Sequence, residues 1–542
     1  MLIEKHIELA LKEACSHLGI EPPEVLLEIS RQPEFGDLTS NLALAIAKTA
    51  GMDPRKLAQE IAEQISTSDD AVSKVEIAGP GFINFHLGMG CLKTMLTGLV
   101  QAPGGFGASE EGKDEQWLFE FVSANPTGPL NVVSARAACV GDSLVRIFNK
   151  RGYRAHSEYY VNDTGGQIRN LGGSVRARIA ELQGLAESAV IPEGGYHGDY
   201  VRDLARRWLD IHSGQTVPND HEMGRWAADL IRERQERTLT DFRVAFQRWF
   251  RESELYGADH VPQAFHLLES EELTYSSDGA VYFQASRFGD SEDRVVKTSD
   301  GRFTYVVPDI AYHLDKHRRG YRKAVTILGP DHHGHIAQLK AALRAVKLPD
   351  DFFHPLMIQQ VNLRRGGEEV KMSKRAGVGI MLDELIQEVG VDAARFFFLM
   401  RRSSSHLDFD MDLARKHSDD NPVFYVQYGH ARIRSIFRQP DAADPKPDAD
   451  LSLLKESEEI SLLRHLARFS WTLETAVRGL EPHPLTTYLI ELARGFHLFY
   501  QRHRIITPDR DLTAARLTLC QGVASVLKEG LNLIGVEAPE RM

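Results

Sequence analysis

The sequence predicts an α/β fold built on a parallel sheet, with a smaller α/β unit before it and an all-helical region after it. Three observations predict this architecture. A strand, a loop, a helix and a second strand follow one another between residues 117 and 161, which is the order of a βαβ unit. The alternation of strand and helix patterns resumes near residue 304, and after residue 450 apolar residues recur almost throughout at helical spacing.

The composition is that of a globular protein. The chain has 542 residues, 42% of them hydrophobic and 26% charged, with a formal net charge of -12. These values exclude the disordered, collagen-like and histone-like classes, and the acidic balance excludes indiscriminate binding of nucleic acid. Residues 421–542 contain 15 Lys and Arg and 15 Asp and Glu, so local basic faces in this neutral region can still bind one RNA of defined shape.

The cysteines and the first segment indicate the compartment. Four cysteines without a Cys-x-x-Cys pair exclude a disulfide scaffold and a zinc ribbon, and favour a reducing environment. The segment IEKHIELALKEACSHLGI carries charges throughout and predicts an amphipathic helix, not a signal peptide. No apolar run approaches the ~18 residues that span a bilayer. We therefore expect a soluble, cytoplasmic protein that makes no membrane contact.

The N-terminal unit is predicted to cover residues 1–112. Helical spacing runs through the first segment and recurs over Leu38–Ala50 and Pro54–Ile65. The segment VEIAGPGFINFHL is strand-like, and the Gly-rich, charged tract QAPGGFGASEEGKDE predicts a linker.

The central region follows. Trp117–Val122 predicts a buried strand, Ser123–Pro129 a loop, Ser134–Arg151 a helix and YRAHSEYYV a parallel strand. Ligands of such sheets bind at the loop that follows the first strand. Residues 165–290 are helix-rich and charged, which predicts an insertion, and the segments TYVVPDIAYHL and AVTILGPDHHGHIAQLKAAL predict the return of strand and helix alternation. Gln439–Asp450, with its Pro, Asp and Ala residues, predicts a linker or long loop.

The clearest chemical motif is Lys371-Met372-Ser373-Lys374, preceded by the polar turn LRRGGEE. Two lysines three residues apart on a Gly-rich loop can close over a triphosphate and neutralise the charge that develops as pyrophosphate leaves. The alternative is a solvated basic turn, and the four residues alone leave both interpretations open.

A second group comprises Glu120, Ser123, Asn125, Tyr305 and Asp309. The two carboxylates lie at or just beyond predicted strands, where the crevice of an α/β sheet opens. Together they can bind a cation such as a guanidinium, which offers five donors in a planar fork. The alternative, two edge-strand carboxylates facing water, is the reading that these residues alone favour.

A third group is Asp331-His332-His333-Gly334-His335. Three histidines so close together suggest a metal site, but their spacing fits neither H-x-x-x-H nor a Cys/His finger. A strand-to-helix turn that packs on a nucleotide is the better prediction, so no protein-held metal is expected.

Longer motifs carry a resemblance to a known family. The segments EFVSANPTGPLNVVSAR, EYYVNDTGGQI, GPDHHGHI, KMSKRAG, VGVDAARFFFLMR, DNPVFYVQYGHARI and GVEAPERM together resemble bacterial arginyl-tRNA synthetases, which are class I aminoacyl-tRNA synthetases. The resemblance covers nearly the whole chain. It implies an N-terminal tRNA-contacting domain over residues 1–112, a Rossmann-like catalytic domain over 113–400 and a helical anticodon-binding domain over 401–542.

The resemblance also implies the reaction and its partners. Arginine and ATP would form arginyl-adenylate, with Mg²⁺ accompanying the nucleotide, and the arginyl group would pass to the tRNA for arginine. Family members are commonly monomers. Glu120 and Asp309 would bind the guanidinium, Asn125 and Tyr305 would be further arginine contacts, and Ser123 would lie beside them. The tRNA contacts would be Tyr500, Arg504 and Met542.

The ATP site implied by the resemblance includes a departure from the family pattern. Its residues would be Asn131, Val133, Ser134, Asp331, His332, His333, Gly334, Lys371, Met372, Ser373 and Lys374, with Lys371, Lys374, Asn131 and Ser134 acting in catalysis. The family usually has His-x-Gly-His where this chain has Asn131-Val132-Val133-Ser134. Losing one preorganised phosphate donor typically costs ~2.7–4 kcal/mol of transition-state stabilisation, and two losses need not add. Asn131 and Ser134 can still donate hydrogen bonds, whereas Val133 places methyl groups where glycine admits the adenine ring.

Two functions follow from this departure. The first is an arginine–tRNA ligase that the altered tetrad slows. The second is a non-catalytic or weakly active relative that binds tRNA or arginine. The intact Lys371–Lys374 motif and the donor side chains at 131 and 134 favour the ligase, because loss of catalytic selection would let both decay.

Overall fold

The computed structural model of the chain describes residues 3–22, 25, 27–30, 35–68, 70–330, 333–370, 380–440, 442 and 445–542. The predicted loop Lys371–Lys374 lies outside the described residues, as do Asp331 and His332. Among the helices of the described residues, none combines the length and the apolar character needed to cross a membrane.

The N-terminal region is an antiparallel four-stranded sheet, in the order β1-β2-β4-β3, packed against helices. Its elements are α1 (Ile3–His17), β1 (Leu27–Ile29), β2 (Leu38–Ser40), α2 (Leu42–Ala50), α3 (Pro54–Glu63), β3 (Val72–Ala78), β4 (Phe82–Leu87) and α4 (Met89–Gln101). The predicted helix from Leu38 is wrong at its start, because Leu38 pairs with Phe85 of β4 and the helix begins only after Asn41. The single predicted strand at 75–87 is the β3–β4 hairpin, which turns at Gly79 and Gly81 with φ of 53° and 141°.

The central region contains the predicted parallel sheet, five strands in the order β12-β11-β5-β6-β7. The first half of the central region comprises β5 (Gln116–Glu120), α5 (Val132–Lys150), β6 (Arg154–Val161), α6 (Gly165–Leu182), α7 (Asp199–Ile211), α8 (Asp220–Asp241), β7 (Arg248–Arg251), α9 (Glu252–Gly257), α10 (His260–Ser270), β8 (Thr274–Ser277), β9 (Ala280–Phe283) and β10 (Arg294–Lys297). Its second half comprises α11 (Val306–Arg318), β11 (Lys323–Leu328), α12 (His333–Ala345), β12 (Phe353–Met357), β13 (Val361–Arg365), β14 (Glu368–Glu369), α13 (Leu382–Val389), α14 (Val391–Leu399) and β15 (Leu407–Asp410). The α/β fold class and the β5–α5–β6 unit are confirmed.

The span predicted as an insertion, 165–290, is not one continuous insertion. β7 lies inside that span and pairs in parallel with β6, so it is the edge strand of the central sheet. Its four residues, Arg248–Arg251, were missed because only Phe250 is buried, which gives a weak apolar signal. The domain boundaries at 112 and 400 stay predictions.

The segment TYVVPDIAYHL is the start of α11, not a strand. Its β-branched beginning suggests a strand, but Val307, Ile310 and Ala311 are buried at helical spacing. Pro308 is tolerated because it lies in the first turn, where its missing N–H has no intrahelical partner. Asp309 therefore stands on the first turn of a helix.

The C-terminal region is helical, as predicted. It comprises α15 (Met411–Ala414), α16 (Pro422–Ile436), α17 (Ser457–Ala467), α18 (Phe469–Gly479), α19 (His483–Arg502) and α20 (Arg510–Leu533). Arg395 of α14 joins this region to helix α5: its guanidinium is fully buried, pairs with Asp142 of α5 and donates at 2.8 Å to the carbonyl of Ile534. The helical region thereby contacts the same helix, α5, that begins with the variant tetrad.

Candidate active site

A cleft opens at the point of the central sheet where the order of strand addition reverses. The chain adds β6 and β7 on one side of β5, and β11 and β12 on the other, so the carboxyl end of β5 is the switch point where ligands of such sheets bind. A cavity of about 1580 Å³ lies there. Five of the predicted site residues line it: Ser123, Asn125, Asn131, Val133 and Ser134.

The loop after β5 begins with a strained turn. Val122 has a φ of 68° and Ser123 a φ of 39°, and Ser123 N–H donates to the carbonyl of Phe121 at 2.9 Å. A β-branched residue rarely adopts positive φ, and a three-residue turn of this kind is strained. The turn lets the chain leave the strand sharply, and the Ser123 hydroxyl then donates to Glu120 Oε1 at 3.3 Å.

Three residues that the sequence did not single out hold this loop in place. Tyr159 of β6 is fully buried, and its hydroxyl lies 3.1 Å from the Ala124 amide. The Gln235 amide of α8 donates to the carbonyls of Asn125 and Gly128 at 3.2 and 2.8 Å. Tyr200 of α7 donates to the carbonyl of Thr127 at 2.7 Å. The helices between β6 and β7 thus position the ligand-binding loop.

The variant tetrad forms a well-capped helix start. Asn131 is the N-cap of α5, and its Oδ1 accepts hydrogen bonds from the amide of Ser134 at 3.1 Å and from the Ser134 hydroxyl at 3.3 Å. Asparagine is among the best N-cap residues. The Ser134 hydroxyl is used as a hydrogen-bond donor to Asn131. Of these two side chains, the Asn131 amide group is therefore the one that stays available to donate into the cleft. Val133 lines the same cleft.

Glu120 is buried in an ion pair. Its Oε2 lies 2.6 Å from Lys316 Nζ, and the lysine side chain is fully buried on α11. The Thr326 hydroxyl donates to the same oxygen at 3.3 Å. The charge of Glu120 is therefore neutralised by a lysine, whereas the other predicted guanidinium ligand, Asp309, faces a titratable histidine.

Asp309 and Tyr305 lie one turn apart on α11. The Asp309 side chain is about one-quarter exposed, and its Oδ2 lies 3.1 Å from Nε2 of His335 on α12. Tyr305 is 72% exposed and stands at the start of the helix. Gly334, a predicted nucleotide contact, is exposed in the first turn of α12.

Glu252 is a further residue that the sequence did not single out. It directly follows β7 and is 6% exposed, yet among the ion pairs of the described residues none includes it. Two hydroxyls donate to its carboxylate, that of Thr164 at 2.7 Å and that of Tyr160 at 3.0 Å. Burial and the nearby charge of Asp309 raise the pKa of Glu252 above its ordinary value. A buried carboxylate that has no cationic partner among the described residues is unusual, because buried charges are normally paired.

The predicted tRNA contacts are exposed on the C-terminal helices. Tyr500, on α19, is 38% exposed, Met542 is 52% exposed, and Arg504 follows α19 on the surface. The Arg432 guanidinium lies between the rings of Tyr428 and Tyr500, at 4.3 and 4.9 Å from their centroids.

Other arginines of that face are paired within the protein. Arg434 lies 2.6 Å from Glu540, and Arg502 pairs with Glu458. The charges of Arg434 and Arg502 are therefore neutralised locally. In the part of the chain that the structure covers, no group of three His, Cys, Asp or Glu side chains is arranged to hold a metal ion.

Comparison with known families covers almost the whole chain. Residues 1–87 match the family model described as arginyl tRNA synthetase N terminal domain, and residues 105–400 match the catalytic domain of class I (R) tRNA synthetases. Residues 426–542 match the DALR anticodon binding domain.

Curated relatives and solved structures agree. The chain is 41% identical over 530 residues to the arginine–tRNA ligase of Shouchella clausii, covering 96% of this chain and 95% of that protein. It is 41% identical over 553 residues to that of Geobacillus kaustophilus, covering 100% and 99%. A putative arginyl-tRNA synthetase from Campylobacter jejuni superposes with a TM-score of 0.78 at 32% identity, over 83% of this chain and 99% of that chain. The Thermus thermophilus arginyl-tRNA synthetase shares the fold, with a TM-score of 0.80 at 22% identity over 99% and 100%. The chain belongs to the arginyl-tRNA synthetase family.

Proposed function

We propose that this chain, an arginine–tRNA ligase by family, activates L-arginine with ATP and transfers the arginyl group to the 3′ end of its tRNA, at a cleft whose variant tetrad slows activation. The observation that supports the arginine specificity is Glu252, a buried carboxylate near Asp309 that pairs with no cation in the part of the chain that the structure describes. A guanidinium would bring a positive charge to Glu252 and to Asp309, and its planar fork can meet two carboxylates at once.

We assign the two ends of the substrate to different groups. Asp309 and Glu252 bind the guanidinium, with Tyr305 beside them, because Glu120 is already paired with Lys316. Ser123 and Asn125 line the cleft at the carboxyl end of β5, where we place ATP and which we call the nucleotide cleft. They therefore lie at the α-carboxylate end of the arginine, which must reach the ATP phosphate. Glu120 Oε1, which accepts from Ser123, holds that end of the site.

Activation is in-line attack at phosphorus. An oxygen of the arginine carboxylate forms a bond to the α-phosphorus as the bond to the β-phosphate bridge breaks, and pyrophosphate leaves. The amino-terminal end of α5 presents backbone N–H groups and the Asn131 amide to the developing charge. Lys371 and Lys374 are proposed to neutralise the leaving pyrophosphate. Mg²⁺ is proposed to enter with ATP, whose phosphates supply ligands.

Transfer uses the tRNA that the helical region recognises. The hydroxyl of the terminal ribose attacks the arginyl carbonyl and AMP leaves. Tyr500, Arg504 and Met542 are proposed to contact the tRNA, because the aromatic and arginine surface around Arg432 suits stacking with bases. We propose that the protein acts as a monomer in the cytoplasm; buried free Cys15, Cys139 and Cys520 suit a reducing compartment.

The test is arginine-dependent exchange between ATP and pyrophosphate, with and without tRNA, beside direct aminoacylation. The proposal expects both activities in the presence of tRNA. No exchange, while tRNA and arginine still bind, would establish the second candidate, a non-catalytic relative, which only the altered tetrad favours.

A further inference from the structure

One ion pair joins the arginine side of the site to the nucleotide side. His335 lies in the first turn of α12, and its Nε2 is 3.1 Å from Oδ2 of Asp309 in the first turn of α11. α12 begins shortly after Gly329 and Pro330, which line the nucleotide cleft. The carboxylate that we assign to the guanidinium is thus already in contact with an ionisable group of the protein.

The surroundings of His335 favour its charged form. The hydrogen bond to Asp309 raises the pKa of the His335 imidazole above its ordinary value, against an opposing effect of burial, and the charges of Asp309 and Glu120 act in the same direction as the hydrogen bond. His313 also faces it from α11, and burial holds the pKa of the His313 imidazole well below the ordinary value. Lys316 is paired with Glu120.

We propose that protonated His335 is the cation that pairs with Asp309 in the absence of arginine. When the guanidinium of arginine binds Asp309, it replaces the imidazolium, and the Nε2 proton of His335 passes to solvent. This inference rests on the proposed function, because it requires that Asp309 binds the guanidinium. One positive charge enters the site and one proton leaves, so the charge beside the carboxylates is conserved.

A thermodynamic consequence follows by linkage. Because the imidazole must lose its proton, arginine binding weakens as pH falls below the raised pKa of His335, by up to about tenfold for each pH unit. Above that pKa the histidine is neutral, no proton is displaced, and this component of the pH dependence disappears. The same event changes the charge at the start of α12, next to the nucleotide cleft.

The experiment is calorimetric titration of the full-length protein with L-arginine, in buffers of different ionisation enthalpy and at several pH values. We expect proton release on binding, and we expect His335→Gln, which keeps a hydrogen-bond donor but cannot titrate, to lose that release and to flatten the pH dependence of Kd. His317→Gln, an exposed histidine farther along α11, is the matched control and should behave as wild type.

The outcomes are distinct. Glu252 can also lose a proton when a guanidinium arrives, so release that persists in full in His335→Gln assigns the proton to Glu252 and overturns the inference. Arginine binding without proton release overturns it as well, and leaves the proposed function intact. Absence of arginine binding in the wild type overturns both. His335→Asn gives the same readout if the glutamine variant fails to fold.

Discussion

Lys316 Nζ lies 2.6 Å from Glu120 Oε2, and this ion pair is buried between the carboxyl end of β5 and helix α11. The lysine also lies over the ring of Tyr312, 4.0 Å from its centroid. The pair therefore joins β5, whose following loop carries Ser123 and Asn125, to α11, which carries Asp309. A buried pair contributes little net stability, but removal of one partner leaves an uncompensated charge.

We expect Lys316→Met to lower the free energy of unfolding by ~3–5 kcal/mol, because Glu120 then stays buried without its cation. Denaturant unfolding measures the loss. The matched control is Arg322→Met, which breaks an exposed pair with Asp351 at 2.8 Å and should cost only ~0–1 kcal/mol. Equal losses in the two variants would contradict the assignment of a buried charge.

Glu252→Gln should raise the KM for arginine while leaving the KM for ATP nearly unchanged. A hydrogen bond to a charged group contributes ~1.5–3 kcal/mol, which corresponds to roughly a tenfold to hundredfold increase. Steady-state aminoacylation kinetics measure it. Glu269→Gln, on the exposed surface of α10, should leave both constants unchanged. A wild-type KM for arginine in Glu252→Gln would rule out its contact with the guanidinium.

Glu252 also illustrates where the sequence stops being informative. The β5–α5–β6 unit was predictable because apolar residues mark both strands, and Ser123 and Asn125 were placed because their loop follows the first strand. β7 has one buried side chain in four, so its position in the sheet, and hence that of Glu252, depended on pairing with β6. No local pattern reveals such a pairing, since it forms between segments about 90 residues apart.

The same argument applies to charge. Glu120 and Asp309 are both carboxylates at strand or helix ends, and the sequence gives them the same role. Only the fold shows that Lys316, 196 residues further on, neutralises one of them. Likewise, the β-branched start of α11 suggests a strand, and tertiary burial of Val307, Ile310 and Ala311 overrides that local preference.

Val122→Gly tests the strain of the turn after β5. Val122 has a φ of 68°, a conformation that costs a β-branched residue ~1–3 kcal/mol and that glycine adopts freely. The valine side chain also packs against the core, so the reference is Val122→Ala, which loses much of the same packing but keeps a Cβ. We expect Val122→Gly to be more stable than Val122→Ala by ~1 kcal/mol in the free energy of unfolding. If glycine proves no more stabilising than alanine at this position, the turn is not strained.

Gly224→Ala should separate helices α6 and α8. A Cβ on Gly224 would lie 2.0 Å from the carbonyl oxygen of Ile168, so the helices must move apart. Overpacking of this kind costs ~1–3 kcal/mol. Because Gln235 of α8 holds the ligand-binding loop, kcat/KM for aminoacylation should fall as well. Gly166→Ala, where a Cβ meets nothing within 4 Å, is the control and should preserve both stability and activity.

We expect the variant tetrad to make the protein more stable and the activation of arginine slower than the usual family tetrad would. The triple variant Asn131→His, Val133→Gly and Ser134→His restores two phosphate donors and removes the methyl groups from the cleft. We expect exchange of pyrophosphate with ATP, measured with tRNA present, to become faster by a factor on the order of 100, the effect typical of one preorganised donor. The two donors need not act additively.

The same variant should be less stable, because it loses the asparagine N-cap that bonds to the amide of Ser134 and gains a glycine inside α5. Together these changes should cost about 2 kcal/mol in the free energy of unfolding. Val133→Gly alone separates the effects: it should lower the KM for ATP if the valine methyl groups obstruct the adenine ring, and it keeps the cap. A folded triple variant with unchanged rate would show that the wild-type α5 terminus already stabilises the transition state fully, and that the tetrad does not limit activation.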